Sequence, residues 1–198
     1  MSFLAFYFKS MKTTTIILIG LAVVVFALIA LYNSLIRLRN RVKEAWSDID
    51  VQLKRRYDLI PNLVESVKGY MQHERTLLEN ITAARSRSMQ AEKSGDTKAL
   101  AQAESTLGGL LGNLRVAFEA YPDLKANQNM AQLMDELSDT ENKIQASRRF
   151  YNSNVRDFNT ALEVFPTNIF GKLLKFTPFD FFEIADAKER ENVAVKFT

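Results

Sequence analysis

The residues that could carry acid–base chemistry are few and occur in two short stretches. One stretch contains Asp58 and Glu65. The other, further along the chain, contains the adjacent residues His73 and Glu74. Either pair could supply a general acid and a general base if both side chains lined one pocket. The His73–Glu74 pair lacks the second histidine of a zinc-protease helix. A hydrolase of unknown substrate is therefore the weaker of the functional hypotheses.

The composition excludes most other catalytic and metal chemistry. The chain of 198 residues has no cysteine and a single histidine, which rules out thiolate catalysis, disulfides and multi-histidine metal sites. The glycine-rich run at residues 107–112 has no lysine and no strand before it, unlike a phosphate loop. We expect its glycines to allow the close approach of a neighbouring helix. The sequence predicts no catalytic residue, no cofactor and no metal, and hence not an enzyme.

Charged side chains on the predicted helices have a simpler interpretation than a site. A group of four carboxylates resembles a metal cluster, but on a helix it is more simply a solvated face. Its members are Asp135, Glu136, Asp139 and Glu141. Arg55 and Arg56 are expected to form exposed ion pairs with Asp48 and Asp50, each contributing less than about 1 kcal/mol.

An uncharged stretch of 20 residues, 13–32, dominates the N-terminal part of the chain. A helix of this length spans about 30 Å, the thickness of the hydrocarbon core of a bilayer. The stretch is longer than the apolar core of a secretory signal, about 7–15 residues, and Leu28 does not suit cleavage after Ala30. We predict a retained single-pass anchor at 13–32, preceded by a short N-terminal segment at 1–12, in which Met11 offers an alternative start.

Basic residues are concentrated just after this apolar stretch. Residues 37–56 hold seven basic and three acidic side chains, a net charge of +4, whereas residues 57–198 hold 17 basic and 20 acidic ones, a net charge of −3. Lys and Arg beside a span favour the cytoplasmic side and can face anionic headgroups. We expect the bulk of the chain in the cytoplasm, and no nucleic-acid partner. The predicted membrane-surface residues are Arg37, Arg39, Arg41 and Lys43.

The remaining chain has the periodicity of long helices. Apolar or small side chains recur at intervals of three and four from Leu35 to Tyr57, which is the spacing of one helix face. Because no glycine or proline interrupts residues 21–60, the membrane helix is expected to continue into the first soluble helix. Pro61 predicts a kink or a short break, with Asp58 capping the next segment. The sequence further predicts a loop at residues 94–96 and helices at 97–121 and 127–164.

Six phenylalanines occur between Phe165 and Phe182. Burial of each such side chain is worth about 1.5–3 kcal/mol, so this segment is not expected to remain fully in water. One alternative is that it folds back and caps an open end of the bundle. The other is that it forms a surface for a partner protein or for the membrane interface. Under that second alternative, the partner-binding residues are Phe176, Phe179, Phe181 and Phe182.

Four blocks of the sequence closely resemble the LemA family. They are YNSLIRLRNRVKEAWSDIDVQLKRRYDLIPNLVESVKGY (32–70), AYPDLKANQNMAQL (120–133), FYNSNVRDFNTALEVFPTNI (150–169) and FTPFDFFE (176–183). The resemblance implies a bacterial membrane protein with a short N-terminus outside the cell, one membrane helix, an antiparallel helical bundle inside and no established enzymatic activity. The ten residues before Met11 and the high phenylalanine content of the tail depart from the family pattern.

The sequence predicts an all-α protein in which a single N-terminal transmembrane helix continues into an antiparallel bundle of long helices. After the anchor, the predicted parts are a helical bundle domain at 33–165 and an aromatic-rich C-terminal tail at 166–198. The favoured function is a non-enzymatic scaffold or adaptor at the bacterial inner membrane. Its expected partners are the lipid bilayer, other membrane-associated proteins and copies of itself. A component of a transmembrane signalling or envelope-stress complex is the alternative.

Overall fold

The computed structural model describes residues 2–183, with side chains from residue 12 onwards. Met1 and residues 184–198, the end of the predicted tail, lie outside this part of the chain. The helices are α1 (Ser2–Val67), α2 (Arg75–Ser94), α3 (Thr97–Phe118), α4 (Pro122–Ala126), α5 (Gln128–Glu163) and α6 (Thr167–Leu173), with a 3-10 turn at Gln72–Glu74. No strand occurs within residues 2–183, in agreement with the predicted all-α class.

A single helix, α1, contains both the predicted anchor and the first soluble helix. It has 66 residues and is therefore about 99 Å long. Its N-terminal part includes a window with a mean hydropathy of 2.9 in which no residue is buried by the rest of the protein. This helix is long and apolar enough to cross a membrane. The predicted continuity between the apolar stretch and the bundle is confirmed.

The break predicted at Pro61 is absent, because α1 continues through the proline to Val67. Proline has no N–H, so the Tyr57 carbonyl, four residues earlier, loses its normal helical donor. Arg85 on α2 replaces that donor, since its Nε donates to the Tyr57 carbonyl oxygen at 2.7 Å. Asp58 remains an exposed residue inside the helix instead of a cap.

The long helices form two antiparallel pairs, which we call hairpins although α1 and α5 of the first pair are not consecutive in the chain. Trp46 on α1 packs edge-on against Tyr151 on α5, with ring centroids 5.2 Å apart. Further from the apolar stretch, Arg55 Nη2 lies 2.8 Å from Glu136 Oε1. These two contacts show that α1 and α5 run antiparallel. The second hairpin consists of α2 packed against α3. We call the end near Tyr32 membrane-proximal and the opposite end, near Val67, the far end.

Local sequence explains where these helices start and stop. Gly95 ends α2 in the left-handed conformation, with φ of +71°, which glycine adopts at little cost. Asp96 then caps α3, because its Oδ1 accepts from the N–H groups of Lys98 and Ala99 at 2.9 and 3.0 Å. Asn127 caps α5 in the same way. The predicted loop at residues 94–96 is thus a two-residue connection that turns the chain back on itself.

The apolar stripes predicted from periodicity form the buried core. Leu35, Val42 and Ile49 on α1 and Ile144 and Val155 on α5 are all at most 1% exposed. The expectation for the glycine-rich run is wrong, however. A Cβ added at any of its three glycines would have no described neighbour within 4 Å, so these positions face open space and not a close helix; they are Gly108, Gly109 and Gly112.

The close approach that needs a glycine occurs instead between α5 and α6. A Cβ at Gly171 would lie only 2.9 Å from Leu162 Cδ2. After α6 the chain reverses through a Schellman motif, in which the N–H of Phe176 donates to the Gly171 carbonyl at 2.9 Å. The left-handed position of this motif, where glycine is usual, holds Lys175 with φ of 56°. Residues 176–183, which we call the strap, then run back along the bundle.

We expect Arg85 and Pro61 to be energetically coupled. Arg85→Met leaves the Tyr57 carbonyl unpaired, so it should lower the free energy of unfolding by about 1–2 kcal/mol. In a Pro61→Ala background the restored N–H serves that carbonyl, so the same change should cost at least about 0.5 kcal/mol less. Denaturation of the full chain in detergent micelles, followed by far-ultraviolet circular dichroism, measures both values. Equal losses in the two backgrounds would contradict this role of Arg85.

Candidate functional site

The residues proposed for acid–base chemistry do not come together. His73 is an exposed residue of the 3-10 turn, and the adjacent Glu74 accepts a hydrogen bond from the Tyr121 hydroxyl. Asp58 and Glu65 are exposed positions two turns apart on α1. An open groove of about 910 Å³ lies between the end of α1 and the start of α2, but none of these four residues lines it. The structure therefore provides neither pair with a shared pocket.

Three of the four carboxylates expected on a solvated face also contact arginines of α1, and the side chains of Glu136 and Asp139 remain 42% and 49% exposed. Glu136 and Asp139 contact Arg55 at 2.8 and 3.8 Å, and Glu141 contacts Arg56. The expected pairs of these arginines with Asp48 and Asp50 are therefore wrong, because both guanidinium groups point towards α5. Within the described residues, no group of three or more His, Asp or Glu side chains is arranged to hold a metal ion.

A buried polar cluster joins α1, α3 and α5 at the centre of the bundle. Arg56 and Glu104 are each 1% exposed and form a direct ion pair. The second Glu104 oxygen, Oε1, accepts from the Tyr57 hydroxyl at 2.7 Å. Arg148 Nη2 reaches Glu104 Oε2 at 3.4 Å, and Glu141 completes the charge balance through Arg56. We call these five residues the polar core.

Burial alters the titration of the polar core. It raises the pKa of the Tyr57 phenol well above its ordinary value, an effect to which Glu92 adds. Burial, followed by the charge of Arg56, lowers the pKa of Arg148 to about 10. At neutral pH Tyr57 is therefore a neutral donor and Arg148 a cation. By formal charge, two arginines face two glutamates, and the carboxylates are bonded to the arginines and to Tyr57. Arg56 Nε and Arg148 Nε are buried without a hydrogen-bond partner.

Two asparagines of α5 hold the strap by its backbone. Asn152 donates to the Phe182 carbonyl at 3.1 Å and accepts from the Phe182 N–H at 2.8 Å. Asn159 makes the same two bonds with Phe179, at 2.9 and 3.0 Å. Seven helical residues rise about 10.5 Å, and three extended residues cover about 10 Å. The spacing of the asparagines thus matches that of their targets, and the strap runs antiparallel to α5.

The aromatic side chains of the strap are largely used for packing within the chain. Phe182 is 5% exposed and lies under the Arg148 guanidinium, 4.6 Å from the ring centroid. Phe176 and Phe179 pack on Phe158 with centroids 6.2 and 5.3 Å away. These three side chains fold back onto the bundle, along α5 and not over an open end, and Phe176 and Phe179 remain partly exposed. Of the four phenylalanines proposed for partner binding, only Phe181 is exposed, by 36%.

The predicted membrane-surface residues lie together on α1, just beyond the apolar stretch. All four are exposed and belong to the first soluble turns of the helix; they are Arg37, Arg39, Arg41 and Lys43. The chain rises about 8 Å from Tyr32 to Arg37 and about 17 Å from Tyr32 to Lys43. Because residues two apart lie on opposite sides of a helix, Arg37 and Arg41 are on one side of α1 and Arg39 and Lys43 on the other. Together they form a graded basic band around the helix, which we call the basic strip and which starts where the apolar stretch ends.

Several of the residues that organise the site were not identified from sequence. Glu104 occupies an inner position of the α3 stripe, between Leu100 and Leu107, where a charged residue needs a buried partner. Asn152 and Asn159 are one heptad apart on the face that carries Tyr151 and Phe158. Two features of the sequence could have identified them: the charge of Glu104 within an apolar stripe, and the amides of Asn152 and Asn159 spaced by one heptad. Arg85 had no such signal, because its target is a backbone carbonyl.

An apolar N-terminal helix, an antiparallel bundle with a neutral polar core and a backbone-bound strap define a class of membrane-associated helical proteins. The family model of the LemA family matches residues 45–197, and this chain belongs to that family. It is 32% identical over 165 residues to Protein LemA of Metamycoplasma hominis, covering 82% of this chain and 72% of that protein.

More distant relatives carry a different name. The chain is 22% identical to the magnetosome protein MamQ of Magnetospirillum gryphiswaldense, with 83% of this chain and 69% of that protein covered. It is 23% identical to the magnetosome protein MamQ 2 of Paramagnetospirillum magneticum, with 82% and 69% covered. In each case the similarity includes most of both chains.

We expect Asn152→Ala to release the C-terminal part of the strap, around Phe182, from α5. The change removes both bonds to the Phe182 backbone, so the amide of Phe182 should exchange with solvent at least tenfold faster. Hydrogen–deuterium exchange of the full chain in detergent micelles measures this rate. Asn154→Ala is the matched control, because that asparagine bonds only to the Phe150 carbonyl of its own helix. Unchanged protection of Phe182 in the Asn152 variant would mean that aromatic packing alone holds the strap.

Proposed function

We propose that this protein is a non-enzymatic scaffold or adaptor, anchored in the bacterial inner membrane with its bundle in the cytoplasm. It would present the far end of the bundle to other membrane-associated proteins or to further copies of itself. The observation that carries this proposal is the uninterrupted α1, which joins the apolar stretch to the bundle core without a hinge. Such a connection fixes the distance between the bilayer and the far end.

The use of the polar groups supports a binding role over a catalytic one. The polar core is neutral, and its carboxylates and guanidinium groups are bonded to one another. Catalytic groups, by contrast, need donor, acceptor or nucleophilic atoms that line a pocket and can reach a substrate. The exposed histidine and the separated carboxylates of α1 do not meet this requirement. LemA family proteins are also not known as enzymes, which agrees with this assignment.

The basic strip on α1 fits the surface of a membrane. The headgroup layer on each side of a bilayer is about 5–8 Å thick. Arg37, about 8 Å beyond Tyr32, would lie at its outer edge. Lys43 would stand clear of it and act only over the Debye length of about 8–10 Å. We therefore assign direct contact with anionic headgroups to Arg37, and to Arg39 through its long side chain, because its backbone lies about 10.5 Å beyond Tyr32. Arg41 and Lys43 are assigned long-range attraction.

A component of a transmembrane signalling or envelope-stress complex is the second candidate. The same observation favours it, because a helix without a joint can transmit a rotation or a shift from one side of the membrane to the other.

Photo-crosslinking in intact membranes tests the scaffold role. Val116 is 73% exposed and lies near the far end, where α3 finishes beside the 3-10 turn. A photo-reactive residue at position 116 should give adducts of discrete mass, identified by mass spectrometry as another membrane-associated protein or a second copy. Thr106, also exposed on α3 but polar, is the control and should give none. Only uncrosslinked monomer at both positions would contradict the proposal.

A cysteine at Ser94 tests the cytoplasmic assignment. The chain has no native cysteine, and Ser94, the last residue of α2, is exposed beside the loop to α3. Gly95 is avoided because its left-handed backbone disfavours a side chain. In intact spheroplasts, Ser94→Cys should react with a membrane-impermeant maleimide only after lysis, whereas Ser10→Cys should react before it. Labelling of Ser94→Cys in intact spheroplasts would place the bundle outside.

A further inference from the structure

A second apolar surface, separate from the strap, lies at the membrane-proximal end of the bundle. Phe165 is 79% exposed, Leu173 is 73% exposed and Ile169 is 56% exposed. Val164 and Leu174, beside them, are also exposed. We call these five residues the foot. Exposed apolar side chains concentrated in one short segment indicate a contact with lipid or with another protein.

The register of the bundle puts the foot at the level where α1 leaves the apolar stretch. Trp46 on α1 faces Tyr151 on α5. Moving about fourteen residues, or about 21 Å, from this contact reaches Tyr32 on α1 and Phe165, two residues beyond the end of α5. Because α6 then packs against both α5 and α1, it stays at this level. The foot therefore borders the membrane-facing end of the protein and not the far end.

The short helix α6 turns its apolar side chains away from the bundle. Gly171 is buried and lies against Leu162 of α5. Ile169 and Leu173 are each two residues from Gly171, which places them on the opposite face of the helix. The inner face of α6 is thus covered by α5 and α1. Its outer face, which carries Ile169 and Leu173, is exposed.

The charge around the foot matches an anionic surface. Residues 164–175 contain two lysines and no acidic residue, and both Lys172 and Lys175 are exposed. Arg37 and Arg39, which begin the basic strip, lie one to two turns beyond Tyr32 on α1. Exposed apolar residues with flanking basic ones are the composition of a segment that lies in the membrane interface.

The backbone at Lys175 gives a second indication. Its φ of 56° is left-handed, a conformation that a lysine adopts only at a cost and glycine adopts freely. A lysine is nevertheless present at the end of α6, beside the exposed Leu174. The Schellman motif accounts for this backbone conformation, and the motif holds the exposed Lys175 at the end of α6, next to the foot.

We propose that the foot is seated in the interfacial layer of the bilayer leaflet from which α1 emerges, with Lys172 and Lys175 at the headgroups. The protein then contacts the membrane at two adjacent places, the apolar stretch of α1 and the foot. This inference rests on the anchoring of α1 in the membrane but not on which side the bundle occupies. It also holds whether or not the far end binds a partner.

Spin labels on single cysteines of the full chain test the depth of the foot. Leu173→Cys and Val116→Cys form a matched pair, because both native side chains are apolar and 73% exposed. Phe26→Cys, within the apolar stretch, reports anchoring. In phosphatidylcholine vesicles that contain a minority of phosphatidylglycerol, the labels at positions 26 and 173 should be more accessible to oxygen than to a water-soluble nickel complex. The label at position 116 should have the opposite preference.

Each other outcome overturns the proposal in a distinguishable way. If the label at position 26 is in lipid but that at position 173 prefers the nickel complex, the foot is in water although anchoring holds. If the label at position 173 is inaccessible to both reagents and its spectrum is broadened by a second label, another copy covers the foot. If the label at position 26 is also in water, the anchoring on which the inference rests fails.

Lys175→Gly separates stability from lipid contact. Glycine relieves the left-handed strain, so the melting temperature should rise. The loss of the charge should reduce, at least twofold, the extra lipid exposure of the label at position 173 that phosphatidylglycerol produces over phosphatidylcholine alone. Lys68→Gln, an exposed lysine at the far end, is the control and should leave that difference unchanged. A difference that survives Lys175→Gly would overturn the assignment of Lys175 to the headgroups.

Discussion

The buried pair of Arg56 and Glu104 is the interaction on which the arrangement of the two hairpins depends. Apolar side chains can repack in more than one arrangement of similar volume, whereas two desolvated charges tolerate little displacement. Removing one member of a buried pair leaves an uncompensated charge and typically costs about 3–5 kcal/mol. Because Glu104 comes from α3 and Arg56 from α1, the pair fixes the register of one hairpin against the other. Glu141 and Arg148 extend the same constraint to α5.

The remaining polar contacts solve local problems that the long helices create. Pro61 would leave a carbonyl of α1 without a donor, and Arg85 of the neighbouring helix supplies one. The strap has no partner strand, and Asn152 and Asn159 bond its backbone as a strand would. In both places a side chain takes over a main-chain hydrogen bond. The bundle therefore keeps an uninterrupted α1 and an extended C-terminal segment without leaving these buried backbone groups unpaired.

Much of the fold follows from periodicity, because helix faces and breaks are local properties. The apolar stripes, the turn at Gly95 and Asp96 and the continuity of α1 were all predicted correctly. The failures share a physical cause, since each depends on what a neighbouring helix supplies. The break at Pro61 was expected because Arg85 is remote in sequence, and Arg55 and Arg56 were paired with nearby aspartates instead of with α5. The phenylalanines of the strap had two plausible environments, and only tertiary packing distinguishes them.

Because α1 has no hinge between the apolar stretch and the bundle, any tilt of its membrane part also moves the far end of the bundle. Membrane helices incline by about 20° on average, and they incline more when their apolar length exceeds the local bilayer thickness. From Tyr32 to Val67 the helix rises about 52 Å, so a 20° inclination displaces the far end sideways by about 18 Å. A change in bilayer thickness of a few ångströms is thereby converted into a much larger sweep above the surface. The position at which such a protein meets a neighbour then depends on the lipids around it.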